Sequence, residues 1–232
     1  MADHDSSKTI RLRIKRRQGP SSEPRWEEFA IPYKEGMNVI GCLMEIQRNP
    51  VTASGEKTTP VAWEAACLEE VCGACTMRIN GQVRQACAAL VDTLEGPVVL
   101  EPLTKFPLVR DLVVDRQTLF DSLKRLRCWI PIDGTYDLGP GPRQSPEDQQ
   151  AMYVLSTCMT CGACLEACPQ VNEATGFIGA APISQVRLFN LHPTGKMHAG
   201  ARLRELIARG GIQNCGKAAT FHALKEFFHQ DE

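Results

Sequence analysis

A chain of 232 residues with 43% hydrophobic content exceeds the usual size of one small domain and holds enough apolar material for one or two real cores. Its 26 basic and 27 acidic residues nearly cancel, which removes any global field that would draw nucleic acid or an anionic membrane as partner. No run of about 18 apolar residues occurs, and the start MADHDSSKTIRLRIKRR lacks the apolar segment and cleavage site of a secretory signal. A soluble, intracellular chain is therefore expected, and in a reducing compartment its 11 cysteines, largely clustered, read as metal ligands before disulfides.

Residues 9–15 alternate Ile10, Leu12 and Ile14 with polar positions, and 26–31 form a second extended run, which together predict an opening hairpin. The stretch 36–48 carries Val39, Ile40, Leu43, Met44 and Ile46 at mostly helical spacing and stops before Pro50. Asn80-Gly81 separates 76–79 from 82–86, and both residues tolerate positive φ, so a second hairpin follows. A last strand at 98–100 lies between Pro97 and Pro102. Strands with one crossing helix fit a β-grasp arrangement over the first ~105 residues.

The pattern changes beyond Pro107. Leu119, Leu123 and Leu126 recur at i, i+4 and i+7, predicting a helix that stops near Pro131, followed by a Gly- and Pro-rich loop at 133–143. Ser145-Pro146-Glu147-Asp148 supplies an N-cap hydroxyl, a proline at the first helical position and acid in the first turn, so a helix leads straight into Cys158. Further helices are expected at 183–191, 201–208 and 217–229.

Cys67, Cys72 and Cys75 are spaced C-x4-C-x2-C, and Cys87 follows the Asn80-Gly81 turn. Four soft thiolates at plant-type ferredoxin spacing are what the two irons of a 2Fe-2S cluster require. The small residues Gly73 and Ala74 let the loop curl and aim backbone N–H groups at sulfur, which raises a reduction potential. A zinc site or a redox dithiol at Cys72 and Cys75 are the alternatives. Cys42, on the apolar face of the first helix, reads as a buried small hydrophobe.

Cys158, Cys161, Cys164 and Cys168-Pro169 form C-x2-C-x2-C-x3-C-P. Three thiolates serve one cubane cluster, and in two-cluster ferredoxins the fourth cysteine ligates the other, so Cys168 points to a second cubane-like site nearby. The expected fold class is α+β. Residues 1–106 are read as an N-terminal β-grasp, 2Fe-2S ferredoxin-like domain, and 107–232 as an all-α, bacterial-ferredoxin-like domain.

The order of motifs resembles the iron-sulfur subunit of succinate:quinone oxidoreductases and quinol:fumarate reductases. The matching stretches are 67–75, the turn at 79–81 with Cys87, PLVRDLVVDR at 107–116, 158–169, and FIGAAPISQVRLFNLHPTG at 177–195. The resemblance implies an electron wire from a flavoprotein subunit (FAD) through 2Fe-2S, 4Fe-4S and 3Fe-4S clusters to quinone at a cytochrome b membrane anchor. The chain would lie peripherally on the cytoplasmic face of the cell membrane, with the dicarboxylate site on a partner. The absence of a G-x-G-x-x-G loop agrees with a flavin held elsewhere. Gln170, Val171 and Asn172 after the proline resemble the menaquinone-linked branch. Other readings are the iron-sulfur subunit of a soluble flavin-linked reductase and a non-redox, zinc-binding scaffold.

One departure from the family concerns ligand number. The pattern implies seven cysteines in the second half, whereas this chain has Cys128, Cys158, Cys161, Cys164, Cys168 and Cys215. Cys128 matches no ligand position. The two ligands expected after Cys215 would fall at Phe221 and Lys225, as a loss of roughly twenty residues would produce. Cys158, Cys161 and Cys164 are thus assigned to 4Fe-4S, while Cys168 and Cys215 serve 3Fe-4S or one of them closes a single 4Fe-4S cluster. A non-cysteine ligand such as His192, His198 or His222 is the other escape. Arg110 and Asp111 read as a structural ion pair in the connection between domains, and His192 as a residue near the quinone side.

Overall fold

The computed structural model divides into two compact units, Met1–Asp115 and Arg116–Glu232, and describes residues 8–131, 142–208 and 210–215. The first unit opens with strands β1 (Thr9–Arg16) and β2 (Arg25–Pro32), antiparallel from Thr9 opposite Pro32 to Arg16 opposite Arg25. In β1 the period-two pattern buries Ile10, Leu12 and Ile14 while Arg11 and Arg13 point outward. Across the outer face the Arg13 guanidinium sits 4.5 Å from the Trp26 ring centre.

Helix α1 (Val39–Arg48) begins where Asn38 accepts the Gly41 N–H at 2.9 Å, and it buries Val39, Ile40, Cys42, Leu43 and Ile46. Its buried face and the inward side chains of the sheet form one core with Phe29, Met77, Ile79 and Leu100. The second hairpin pairs β3 (Thr76–Ile79) with β4 (Gln82–Gln85) across Asn80 at φ 50° and Gly81 at φ 83°. Strand β5 (Val98–Glu101) lies parallel to β1 and antiparallel to β3, which gives the sheet order β2-β1-β5-β3-β4.

The sequence pattern did not reveal the small hairpin of β6 (Leu108–Arg110) and β7 (Val113–Val114). At its turn Asp111 takes φ 46°, which sends a fully buried carboxylate under the first unit. Arg16 Nε donates to Asp111 Oδ1 at 3.0 Å and Nη2 to Oδ2 at 3.2 Å. Arg110 Nε lies 3.8 Å from the same carboxylate. Asp111 is thus the structural ion-pair member expected, but its main partner is ninety-five residues away in β1.

In the second unit, helix α2 (Gln117–Arg125) buries Leu119 and ends short of Pro131, because Arg127 at φ 52° turns the chain out of the helix. Helix α3 (Pro146–Ser156) starts as expected, with Ser145 Oγ accepting the Asp148 N–H at 3.0 Å. A short α4 (Ala163–Ala167) precedes α5 (Ala180–Leu191), which packs against α2, α3, α4 and the later α6 (Ala199–Ile207). A single turn, α7 (Ile212–Cys215), follows. The helix expected at 217–229 and most of the loop expected at 133–143 lie outside the described residues. Leu126, Ile178, Val186 and Leu206 make one small cluster of this unit's core, with Cys128 and Ile183 against it.

A fully buried Arg202 holds this unit together around its irregular chain. Its Nε donates to the Arg127 carbonyl at 2.9 Å, Nη2 to that of Trp129 at 3.0 Å, and Nη1 to that of Gly195 at 2.7 Å. Among the described residues no helix is long and apolar enough to cross a membrane.

Two truncations report on these elements. Leu43→Ala, which empties a fully buried site between helix and sheet, lowers the unfolding free energy by about 2–5 kcal/mol in a urea titration. Ser145→Ala removes the α3 cap and lowers it by about 1 kcal/mol.

Candidate metal centre

The chain between β1–β2 and β3 cannot form repeating structure over 67–75, because its donors are turned toward sulfur. Leu68 at φ 63°, Glu70 at φ 59° and Gly73 at φ 69° fold it into a tight loop. Cys67 Sγ accepts N–H groups from Glu69 at 3.4 Å and from Val71 and Cys72 at 3.3 Å. Cys72 Sγ accepts those of Cys67 and Ala74 at 3.5 Å. Cys87, beyond the second hairpin, accepts the Glu70 N–H at 3.3 Å.

Cys75 completes the group, since its thiol and that of Cys87 interact directly. The four expected cysteines of the first cluster are therefore together in space. Thr76 closes the loop, with Oγ1 donating to the Gly73 carbonyl at 2.7 Å. Asn38 locks Cys87 from the other side, its Nδ2 donating to the Cys87 carbonyl at 2.8 Å while its Oδ1 caps α1.

Electrostatics divide these thiols. The N–H groups of Glu69 and Val71 bring the Cys67 thiol down to about 7, whereas burial pushes Cys75 up to about 11. Cys42 is fully buried in α1 and pushed up to about 12 by desolvation, an inert core residue as the sequence implied.

The second cysteine group gathers around the start of α4. Thr160 at φ 51° and Gly162 at φ 87° bend the chain so that Cys158 and Cys161 lie within electrostatic reach of Cys164. Burial raises the Cys164 thiol to about 11, opposed by the Ala181 N–H at the first turn of α5. Gly179, at φ 88°, has no room for a side chain, because a Cβ there would meet Leu165 Cγ at 2.6 Å. That close approach is what brings the α5 N-terminus onto Cys164.

Cys168 ends α4, and Cys215 is exposed at the end of α7. The segments that follow Cys168 and precede Cys215 are linked, with the Thr175 hydroxyl donating to the Gln170 carbonyl and Asn214 Nδ2 donating to the Thr175 carbonyl. Cys128 is instead packed beside Ile183 and the small core, its thiol raised to about 11 by burial. His192 ends α5, its backbone N–H donating to the Leu188 carbonyl, and its Nδ1 accepts the N–H groups of Thr194 and Gly195 at 3.3 Å in the turn that follows. His198 is the N-cap residue of α6, and His222 lies outside the described residues.

Among the described residues no three His, Cys, Asp or Glu side chains converge on a single ion-sized point. An iron-sulfur cluster brings bridging sulfides and takes thiolates in pairs or singly on separate irons. The donor set fits such a group: soft sulfurs, small neighbouring residues and backbone N–H groups aimed at the sulfur atoms. Fold and site together define an iron-sulfur protein with an N-terminal sheet unit and a helical C-terminal unit.

The family described as a 2Fe-2S iron-sulfur cluster binding domain matches residues 11–121. The succinate dehydrogenase iron-sulfur subunit of Bacillus subtilis is 60% identical over 211 residues, covering 91% of this chain and 83% of that protein. The fumarate reductase iron-sulfur subunit of Mycobacterium tuberculosis is 32% identical, over 84% of this chain and 76% of its own. Among solved structures, a chain of the Mycobacterium smegmatis Sdh1 complex shares the fold with a TM-score of 0.72 at 23% identity, over 94% of this chain and 87% of that one. This chain belongs to the family of succinate dehydrogenase and fumarate reductase iron-sulfur subunits, the electron-transfer subunits of these oxidoreductases.

The thiol environments set an order of reactivity. In the chain stripped of iron, Cys67 is alkylated by iodoacetamide with a midpoint near pH 7, while Cys75 and Cys164 react only toward pH 11. Peptide mass spectrometry across a pH series reads this directly. A depressed thiol is a nucleophile above its own pKa, so at pH 8 Cys67 leads.

Proposed function

We propose that this chain carries electrons between an FAD-bearing flavoprotein subunit and membrane quinone in a succinate dehydrogenase or fumarate reductase. The observation that carries the reading is the loop at 67–75, which gathers Cys67, Cys72, Cys75 and Cys87 and turns its own N–H groups onto the sulfurs of Cys67, Cys72 and Cys87. In this reading those four residues hold a 2Fe-2S cluster in a β-grasp domain, supported by the sheet order and the single helix against it.

Cys158, Cys161 and Cys164 would hold a 4Fe-4S cluster in the bacterial-ferredoxin-like helical domain expected over 107–232. Cys168 and Cys215 would contribute to a 3Fe-4S cluster, or one of them would close the 4Fe-4S site. Bound there, the clusters supply one-electron carriage. The residues of the chain hold them, bias their potentials through N–H groups and leave the dicarboxylate chemistry to the flavoprotein.

A redox partner needs apolar contact at the rim of the first site. Leu68 and Val71 provide it at 53% and 62% exposure. The complex would be peripheral at the cytoplasmic face of the cell membrane through a cytochrome b anchor. Menaquinone is the quinone suggested by Gln170, Val171 and Asn172 after Pro169.

Iron and acid-labile sulfide analysis with low-temperature EPR, on protein purified anaerobically, tests the proposal. About nine irons with an oxidised-state 3Fe signal mean that all three clusters assemble, and about six without it mean a wire of 2Fe-2S and 4Fe-4S. Protein that binds no iron overturns the reading. Cys87→Ala removes the reduced 2Fe-2S signal while the cubane signals persist.

A further inference from the structure

Between β2 and the cysteine loop the chain passes through residues 59–62, and this short stretch is held on both sides by one buried ion pair. Arg16 Nη2 donates to the Thr59 carbonyl at 3.1 Å, to Thr59 Oγ1 at 3.2 Å and to the Pro60 carbonyl at 3.2 Å. Asp111 Oδ2 accepts the Ala62 N–H at 2.9 Å, and the next residue, Leu112, donates its N–H to the Ala62 carbonyl at 3.1 Å. Both polar groups of the Ala62 peptide are thus taken by the β6–β7 turn.

The same carboxylate accepts the Arg17 N–H at 2.9 Å, and the Asp111 N–H returns to the Arg17 carbonyl at 2.8 Å. The clamp is therefore anchored to the end of β1, which lies between β2 and β5 in the sheet. On its outer side the stretch that follows borders an open hollow of about 690 Å³ lined by Val61, Trp63, Ala65, Ala74 and Val113. Val61 is buried in the core, with Trp63 and Ala65 packed against it, so the ion pair adds polar fixation to a stretch that packing also holds. Five residues beyond Ala62 comes Cys67, the sulfur that accepts three N–H groups.

We infer that the Arg16–Asp111 pair is the positioning device of the first cluster loop, fixing 59–62 so that the N–H groups around Cys67 and Cys72 stay aimed at sulfur and so set the retention and reduction potential of the cluster. The inference rests on the 2Fe-2S reading of that loop. A pair that only stabilised the fold would be equivalent to any core residue of similar worth. A positioning pair changes the cluster itself, because N–H groups drawn off sulfur leave the more negative, reduced state less stabilised.

Asp111→Asn keeps the side-chain volume and one acceptor but loses the charge that grips Arg16. Arg16→Lys keeps the charge next to Asp111 but loses the planar fork that reaches Thr59 and Pro60. Leu43→Ala is the control, a core truncation in α1 that touches neither. Each is made in the full chain purified with its clusters, and thermal midpoint, release of 2Fe-2S iron to a chelator and EPR-monitored midpoint potential are recorded.

The expected result is iron release about tenfold or more faster and a lower 2Fe-2S midpoint in Asp111→Asn and Arg16→Lys, with Leu43→Ala unchanged in both at an equal or larger loss of thermal stability. Should Asp111→Asn not fold, Arg16→Lys alone decides. Folded variants whose iron release and potential match those of Leu43→Ala overturn the inference and leave the electron-transfer reading standing. Wild-type protein without a 2Fe-2S signal overturns both.

Discussion

Thiolates crowded into one loop repel each other, and backbone N–H groups are the donors nearest at hand to offset that repulsion. The irregular course of 67–75 follows from turning those donors inward. Glu69, Val71 and Cys72 cannot donate to Cys67 Sγ and also to a strand partner, so the loop abandons the sheet. Leu68 and Glu70 accept positive φ, a strained backbone for side chains with a Cβ, as the price of aiming those groups. Such a loop has little stability of its own, and the elements around it tie down its ends. Asn38 binds the Cys87 carbonyl, Thr76 binds Gly73, and the β6–β7 turn binds Ala62.

The helical unit meets the same demand with a different device. There the donor facing Cys164 is the first turn of α5, whose N–H groups have no partner inside the helix. Bringing a helix end that close requires a residue without a side chain at Gly179, against Leu165. Helix α5 can serve as a fixed support because α2, α3, α4 and α6 all pack on it.

Local features were legible in the sequence because their causes are local. The Asn80-Gly81 turn, the Ser145 cap, the alternation of β1 and the burial of Cys42 each follow from residues within a few positions of one another. Helix α5 begins at Ala180 rather than at 183, since Pro182 falls in the first turn, where a missing N–H breaks no hydrogen bond. Helix α2 ends early for a reason no periodicity shows, the positive φ of Arg127. The β6–β7 hairpin was hidden by its shortness, and the sequence pointed to an ion pair at Asp111 without showing that its partner is Arg16. The cysteine spacing announced the first site; the support around it was silent, because Asn38, Thr59 and Asp111 bear on the loop only through the fold.

Arg16 and Arg202, the two charged side chains least expected inside, answer one problem in both units. Chain that leads toward the cysteines must bend, and bent chain leaves carbonyls without partners in a dry interior, at about 1–3 kcal/mol each. A guanidinium offers five donors in a rigid plane, enough to gather carbonyls from separate segments at once. Arg16 collects those of Thr59 and Pro60, and Arg202 those of Arg127, Trp129 and Gly195. Apolar replacements could match such groups in stability, yet they would leave the carbonyls free to choose other arrangements. The difference between the two arginines then becomes informative. Arg16 is neutralised by Asp111 and Glu27, whereas among its described partners Arg202 meets carbonyl and amide oxygens and the Phe189 ring but no carboxylate. The carboxylate of Asp111 is needed in the first unit because it also accepts the N–H of Ala62, a donor on the very stretch whose carbonyls Arg16 holds. Both partners of that pair grip the approach to Cys67, and the ion pair between them makes the two grips one.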